Sequence, residues 1–290
     1  MKSAAFEYAR PQSVDEVCRL LAEAGGEAQI LAGGQSLVPL LATRLARPAL
    51  LIDINRIAAL QGIVIEGDAL VIGGCTRQRT VERSVVAAAA CPLLAKALVH
   101  IGHVQTRNRG TVGGSLCQAD PAGEIPLVAV TLGAELTLRG ASASRTVSAG
   151  DFILGAMETS AENDECLVSA AFPVWREARL GAAFHEVAMR HGDFAMLSAA
   201  AQIALDSDGR CTRAALGLGN AGPAPIRLER VAAVLEGTTL TENDIAAALA
   251  PLQDEIEPLD DTQTTAAYRR RVAPRMLRRA IQDAVAEASA

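Results

Sequence analysis

The sequence predicts an α+β protein built from two consecutive α/β subdomains, residues 1–58 and 59–175, and a C-terminal α+β domain, residues 176–290. Three observations lead there. Through the first half of the chain the apolar spacing switches repeatedly between a helical period of about 3.6 and the alternation of a strand. The strand-like run "CLVSAAF" stops at Pro173, which marks a boundary near 173–180. Beyond it, strand-like runs come together first and helix-like runs follow.

Each element has a local reason. "SVDEVCRLLAEA" carries Val14, Val17, Leu20 and Leu21 at helical spacing behind Ser13 as N-cap. "AQILAG" and "ALLIDI" are short apolar runs expected as strands, on either side of the helix-like "SLVPLLATRL". With Ser36 as N-cap, Pro39 falls in the first turn, where its missing N–H matters least. From about residue 60 come a strand "ALVIGG", helices around "TVERSVVAAAA" and "CPLLAKALVHIG", and a long polar loop over 107–126. Helix "EIPLVAVTLG" and strands "AELTLR" and "CLVSAAF" complete the second subdomain. The last domain reads as strands "GAAFHEVAM", "SAAAQIAL" and "RAALGLG", spaced by turns such as "DSDG", then two or three helices ending in "DTQTTAAYRRRVAPRMLRRAIQDAVAEA".

With 50% hydrophobic but only 3% aromatic residues, the core must be built from Ala, Val, Leu and Ile. A net charge of −6 argues against binding nucleic acid or an anionic membrane through bulk charge. No apolar run has signal-peptide length, and none reaches the roughly 20 residues needed to span a bilayer, so a cytoplasmic location is expected. The six cysteines, Cys18, Cys75, Cys91, Cys117, Cys166 and Cys211, include no C-x-x-C pair. Free buried thiols are expected of them, and no metal site.

Two stretches are glycine-dense, small and nearly uncharged: "QILAGGQS" (29–36) and "RNRGTVGGSLCQADPAGEIP" (107–126). Neither G-x-G-x-x-G nor G-x-x-x-x-G-K-[ST] is present. Gly33 and Gly34 in one, Gly113 and Gly114 in the other, can present consecutive backbone N–H groups to anionic oxygens, with the hydroxyls of Ser36, Thr111 and Ser115 beside them. Two such loops could grip one diphosphate from opposite sides, helped by the helix behind Ser36. Taken singly, each pair could equally serve a tight turn. Glu124 could accept hydrogen bonds from sugar hydroxyls, or simply complement the dipole of its own helix.

"ILAGGQSLVPLLATRLARPALLIDINRI" followed by "HVQTRNRGTVGGSLCQADPAGEIPLVAV" resembles the FAD-binding medium subunit of the molybdenum-containing hydroxylases, the group of carbon monoxide dehydrogenase and xanthine dehydrogenase. The resemblance extends to "AAFEYARPQSVDEV", "FHEVAMRHGDFAMLSAAA" and "YRRRVAPRMLRRA", nearly the whole chain. It implies the vanillyl-alcohol-oxidase-type (PCMH-type) FAD-binding fold, with the C-terminal domain covering the flavin. It further implies FAD contacts from Gln29, Ile30, Leu31, Ala32, Gly33, Gly34, Gln35, Ser36 and Leu37 in the first loop, and from Thr111, Val112, Gly113, Gly114 and Ser115 in the second. Ile101 matches a position near the isoalloxazine, Gln118 a position often His or Thr, Glu124 an acid on the nucleotide, and Leu167 and His185 positions lining the flavin pocket. Gln29 stands where many relatives carry Lys or Arg, and Phe194 where Tyr is frequent. Core packing is the preferred role for Phe194.

The resemblance implies an oxidoreductase subunit that carries FAD alone. The length leaves no room for the iron–sulfur insertion of the hydroxybenzoyl-CoA reductases. A large subunit with a molybdopterin cofactor would oxidise the substrate, an N-heteroaromatic or other small carbon compound, using water. A small subunit with two [2Fe–2S] clusters would relay electrons to the FAD, in a dimer of heterotrimers. Oxygen, NAD, a quinone and a cytochrome stay open as final acceptors. No residue is needed as a general acid or base, so no catalytic residue is assigned. A free-standing flavin oxidoreductase and a flavin-free scaffold subunit are the alternatives. His100 and His103 read as capping or solvated residues. The arginines of the last helix (Arg269, Arg270, Arg271, Arg275, Arg278, Arg279) read as a solvated face, with Arg278 and Arg279 placed for a helix C-terminus and docking to an acidic partner as the alternative.

Overall fold

The computed structural model describes residues 2–290. In the first body, strand β1 (Glu7–Ala9) leads to helix α1 (Val14–Ala24), strand β2 (Ala28–Leu31), helix α2 (Leu37–Thr43) and strand β3 (Leu50–Asp53). The strands form a parallel sheet in the order β1-β3-β2. Ser13 caps α1 by accepting from the Glu16 amide at 3.2 Å, and Val17, Cys18 and Leu21 are the buried face that this spacing dictates. Ser36 stands at the start of α2, but its hydroxyl makes no capping bond and stays free.

The second body runs through β4 (Ile63–Glu66), β5 (Ala69–Gly73), α3 (Gln78–Glu82), α4 (Val85–Ala90), α5 (Pro92–Leu98), α6 (Val104–Arg109), α7 (Val112–Gln118) and α8 (Glu124–Leu132). It closes with β6 (Glu135–Arg139), β7 (Ser144–Ser148), α9 (Ala149–Phe152), β8 (Ile153–Gly155), β9 (Glu158–Thr159) and β10 (Cys166–Pro173). Its main sheet has the order β4-β5-β10-β6-β7. The stretch expected as a loop over 107–126 is largely helical. Thr111 caps α7 by accepting from the Gly114 amide at 3.0 Å, so both glycines of "TVGGS" lie in the first turn of a helix. "TVERSVVAAAA" likewise splits into two helices, because Ser84 caps α4 through the Ala87 amide.

The third body is an antiparallel sheet of β11 (Arg179–Val187), β12 (Leu197–Leu205), β13 (Cys211–Gly219) and β14 (Ile226–Arg227), paired in that order. It is followed by four helices: α10 (Glu229–Leu235), α11 (Glu242–Leu249), α12 (Leu252–Glu255) and the long α13 (Ala266–Ser289). One face of β11 and β12 packs on α5 and α8, the other on α13. That sandwich explains why β12 is buried at every position. At Gly181 a Cβ would fall on the Ala284 carbonyl, so α13 lies directly on the strand backbone.

The basic face expected of α13 is corrected at two points. Arg269 is fully buried and donates to the Met196 carbonyl (2.7 Å), the Leu259 carbonyl (2.5 Å) and Asp261 (2.5 Å). Arg278 and Arg279 are not at a helix end, since α13 continues to Ser289, and Arg278 pairs with Glu242 at 3.0 Å. The helix tolerates Pro274 because the Arg270 carbonyl, which its absent N–H would have served, accepts from Gln253 Nε2 at 2.9 Å. No helix among the described residues is long and apolar enough to cross a membrane.

Arg269→Met leaves two inward carbonyls without a donor and should lower stability by about 1–3 kcal/mol in urea unfolding. Burial acts to raise the Asp261 carboxyl, but the Thr264 amide, Arg269 and the Gln263 amide outweigh it and hold it below the usual carboxylate range. A depressed pKa stabilises the fold above the unfolded value and the contribution is lost as pH falls through the folded one. The acid limb of a stability–pH profile, below about pH 4, should therefore flatten in Asp261→Asn.

Candidate flavin site

A single cavity of about 750 Å³ runs between the three bodies, within the size range of small-molecule and cofactor sites. At one end lies the turn between β2 and α2. Gly34 has φ +71°, a left-handed conformation that costs glycine little, and Gly33 sits so close to the second body that a Cβ would stand 2.5 Å from the Arg109 carbonyl. The amides of Gly33, Gly34, Gln35 and Ser36 find no acceptor within the described chain. They form a row of unpaired donors that, with the Ser36 hydroxyl, suits an anionic oxygen.

The second glycine motif works differently from the expectation. The Gly113 amide is engaged by the Gly74 carbonyl (2.8 Å), that of Gly114 by Thr111 Oγ1 (3.0 Å), that of Ser115 by the Thr111 carbonyl (3.1 Å) and that of Val112 by the Thr76 carbonyl (3.1 Å). These glycines serve close approach rather than donation: a Cβ on Gly113 would lie 2.5 Å from the Gly74 carbonyl. The wall they form offers the Ser115 side chain and bare backbone.

Of the residues expected at the site, Gln29, Ile30, Ala32, Gly33, Gly34, Gln35, Ser36, Leu37, Ile101, Thr111, Gly113, Gly114, Ser115, Gln118, Glu124 and Leu167 line this cavity. Three do not. Leu31 faces a separate cleft on the outer side of the turn, with Val38, Pro39 and Arg109. Val112 is fully buried in the core. His185 is turned away because strand side chains alternate: Phe184 faces α5 and α8, so His185 faces α13, where its Nε2 meets Asp283 Oδ2 at 2.8 Å. Phe194 is also corrected. It is 63% exposed and lines the cavity instead of packing in the core. Its loop is seated by Gly192 (φ +86°), whose close approach to His103 and the Gly102 carbonyl leaves no space for a side chain.

Sequence reading missed the bracket that joins the two glycine segments. Asn55 Nδ2 donates to the Ala32 carbonyl at 2.8 Å, and Arg77 Nη2 donates to Asn55 Oδ1 at 2.6 Å. The other Arg77 terminal nitrogen donates to the Arg109 carbonyl. The available signal was "DIN" at the end of β3, an Asx turn in which the Asn55 amide donates to Asp53 Oδ1 at 2.9 Å. It also missed Gln78, a 5% exposed wall residue. Of the cysteines, Cys117 is exposed to the cavity and the other five are buried.

The charged side chains of the wall are all acidic: Asp120, Glu124, Glu165 and Asp193. Burial, reinforced by Glu186 and Asp120 and opposed by His100 and its own backbone hydrogen bond, pushes the Glu124 carboxyl up to about 7. Behind it, His100 Nδ1 lies 3.3 Å from Glu186 Oε1, and the His100 ring packs on Phe184. Among the described residues no group of three or more His, Cys, Asp or Glu is placed to hold a metal ion.

Unpaired amides at the first glycine turn, with apolar Ile101, Leu167 and Phe194 and several small residues elsewhere on the wall, fit a dinucleotide whose diphosphate meets backbone and whose ring meets apolar side chains. That combination defines a flavin-dinucleotide-binding protein. The comparisons with known proteins specify it further. The family described as "FAD binding domain in molybdopterin dehydrogenase" matches residues 4–175, and that described as "CO dehydrogenase flavoprotein C-terminal domain" matches residues 182–284. The chain is 37% identical to the 6-hydroxypseudooxynicotine dehydrogenase complex subunit alpha of Paenarthrobacter nicotinovorans, over 98% of this chain and 96% of that one. It is 37% identical to the caffeine dehydrogenase subunit beta of Pseudomonas sp. strain CBB1, over 97% and 95%. The carbon monoxide dehydrogenase structure from Hydrogenophaga pseudoflava that lacks the Mo-pyranopterin moiety superposes with a TM-score of 0.95 at 36% identity, over 99% of both chains.

The chain belongs to the FAD-binding medium subunits of the molybdopterin dehydrogenases. It is an oxidoreductase subunit of the carbon monoxide and xanthine dehydrogenase type, its cofactor is FAD, and the molybdenum cofactor resides on a partner subunit.

Two variants test the geometry. Gly33→Ala should push the first body off Arg109 and cut FAD retention at least tenfold, read from the visible absorbance of the purified chain, while the far-ultraviolet circular dichroism stays unchanged. Glu124 has a raised pKa, so its contribution to stability is full below the unfolded value and lost as pH rises toward 7. Glu124→Gln removes that loss: in the flavin-free chain its melting temperature relative to wild type should climb between about pH 5 and 8.

Proposed function

We propose that this chain takes electrons one at a time from [2Fe–2S] clusters of a small subunit and passes them through FAD to an external acceptor. The substrate, an N-heteroaromatic or other small carbon compound, is oxidised on a separate large subunit. Caffeine in the name of one relative, carbon monoxide in that of another and a pyridine alkaloid derivative in a third support that range. Partner chains complete the assembly as a dimer of heterotrimers in the cytoplasm. The chain itself divides at 58/59 and 175/176 into two FAD-binding subdomains and a cover.

The observation that carries the reading is the one cavity reaching all three bodies, donor-rich at the first glycine turn and apolar at Ile101, Leu167 and Phe194. FAD supplies the ability to accept single electrons and to deliver one or two. The residues of this chain bind and orient it. The Gly33–Ser36 amides and the Ser36 hydroxyl hold the diphosphate, Ile101 and Leu167 back the ring, and Glu124 accepts from sugar hydroxyls. Phe194 sits at the third body's edge, where it limits water at the ring.

The visible absorption spectrum of the chain purified alone, followed by heat release and chromatographic identification of the cofactor, tests this reading. Released FAD, no iron–sulfur absorbance and no turnover of candidate substrates without partners are expected. Substrate-dependent bleaching by the isolated chain would instead establish a free-standing oxidoreductase. Absence of flavin from the assembled complex would establish a scaffold.

A further inference from the structure

Gln78 begins α3 and is 5% exposed, yet its carboxamide makes no hydrogen bond to the protein. Its Oε1 is sealed from solvent against Gly110 without a donor, so only the Nε2 end of the side chain can meet the cavity that it helps to line. A buried amide left unpaired costs free energy that an apolar side chain of the same shape would not, so its presence calls for a partner.

The backbone holds this carboxamide firmly in place. The Gln78 amide donates to the Gly110 carbonyl at 2.9 Å, and Arg77 is paired across to Thr111 in a β-bridge. Gly110 is the matching accommodation, since a Cβ there would run into the Gln78 Oε1. The chain has thus fixed the backbone on either side and cleared a residue's width of space for an amide that nothing in the protein uses. Its place in the wall is intermediate. Gly110 touches Gly33 on the side of the unpaired amides, and α3 packs against α6, which follows Ile101 and Gly102, on the other. A cofactor with its diphosphate at Gly33–Ser36 and its ring at Ile101 must run its linking polyol past this point.

The geometry points to Gln78 as a cofactor-binding residue whose carboxamide hydrogen-bonds the ribityl chain of FAD. The Nε2 end is suited to this as a donor to hydroxyl oxygens, while Oε1 stays packed on Gly110. The inference rests on FAD as the occupant of the cavity and adds a contact that the glycine motifs do not supply.

The test uses the full chain stripped of flavin, titrated with FAD and separately with ADP, which carries the adenosine diphosphate half and no ribityl. Gln78→Met keeps the volume and removes the amide. It should weaken FAD binding about tenfold, the loss of one to two net hydrogen bonds, and leave the ADP constant within twofold. The flavin-free variant should melt at or above the wild-type temperature, because it no longer buries an unpaired amide. Gln78→Asn keeps the chemistry but shortens the reach, and should lose FAD affinity to a similar extent. Unchanged FAD affinity in Gln78→Met would mean that a buried water satisfies the amide, and would overturn the proposal. Equal weakening of FAD and ADP, with a lowered melting temperature, would make Gln78 a packing residue and overturn it as well. Wild-type chain that takes up no FAD at all would overturn the cofactor reading first, a result separable from either of these.

Discussion

The structure depends on backbone lying against backbone, at the junction of the first two bodies and within the second. Gly33 rests on Arg109 and Gly110, Gly113 on Gly74, and Gly74 in turn on the Leu167 carbonyl, at separations that exclude a Cβ. These contacts do more than allow turns. They bring β2, β5, α7 and β10 close enough for a single slot to be lined from all of them, and they fix its width. Side chains then brace the junction: Asn55 and Arg77 tie the first glycine turn to the second segment through carbonyl groups that the close approach would otherwise leave unpaired.

This division of labour accounts for the electrostatics of the slot. Among the described residues the wall contains acids and no basic side chain, so a diphosphate bound there, as proposed, would be held by dipoles. The four unpaired amides of the first turn supply them from one side only, since the amides of the second motif are spent inside the protein. Such donors are fixed before binding and lose little entropy on contact. The acids gather elsewhere. Glu124 is buried near Glu186 and Asp120, and burial first, with those acids adding to it, favours its neutral form. A carboxyl that stays protonated near neutral pH can sit by a cofactor of negative charge without repelling it.

Much of the fold is legible in the sequence, for reasons that also explain the failures. α1, α8 and the strands β10 to β13 are long or strongly patterned, and their apolar spacing identifies them. The helical nature of 112–118 was hidden because "VGGSLCQ" is glycine-rich, and intrinsic propensity yields there to the Thr111 cap and to packing against Gly74. Short edge elements such as β4, β7 and β14 carry little pattern. On α13 the large apolar side chains Tyr268, Val272, Met276 and Ile281 suggest one face, but of these only Ile281 is buried, and the buried face is Arg269, Ala273, Leu277, Ala280, Ile281, Ala284 and Ala288. Small residues let the helix lie on Gly181, and a local count of large apolar side chains overlooks them. Of the site, the glycines, Ile101, Glu124 and Leu167 were accessible through motif and resemblance. His185 was misplaced by one step of strand alternation. Gln78 and Arg77 carry no signal of their own, and the Asx turn at Asn55 does not disclose its partners, because these roles arise from contacts across 22 to 32 positions of sequence.

The third body completes the wall of the slot by a separate principle. It shares no sheet with the other two and, apart from the Asn220 amide on the Pro121 carbonyl at 2.8 Å, reaches them mainly through side chains: Phe184 in the core of the second body, Glu186 on His100, Lys96 on Glu287 at 2.8 Å, and the Gly192 loop on His103. Glycine contacts between backbones are all-or-none, since a single methyl group abolishes them. Side-chain contacts of this mixed kind are graded and individually weak. The cavity wall is therefore rigid where the anion binds and more adjustable where Phe194 meets solvent. Under the proposed function, in which the subunit holds its cofactor through every turnover and gives an external acceptor access to the ring, that is the distribution of stiffness the chemistry requires.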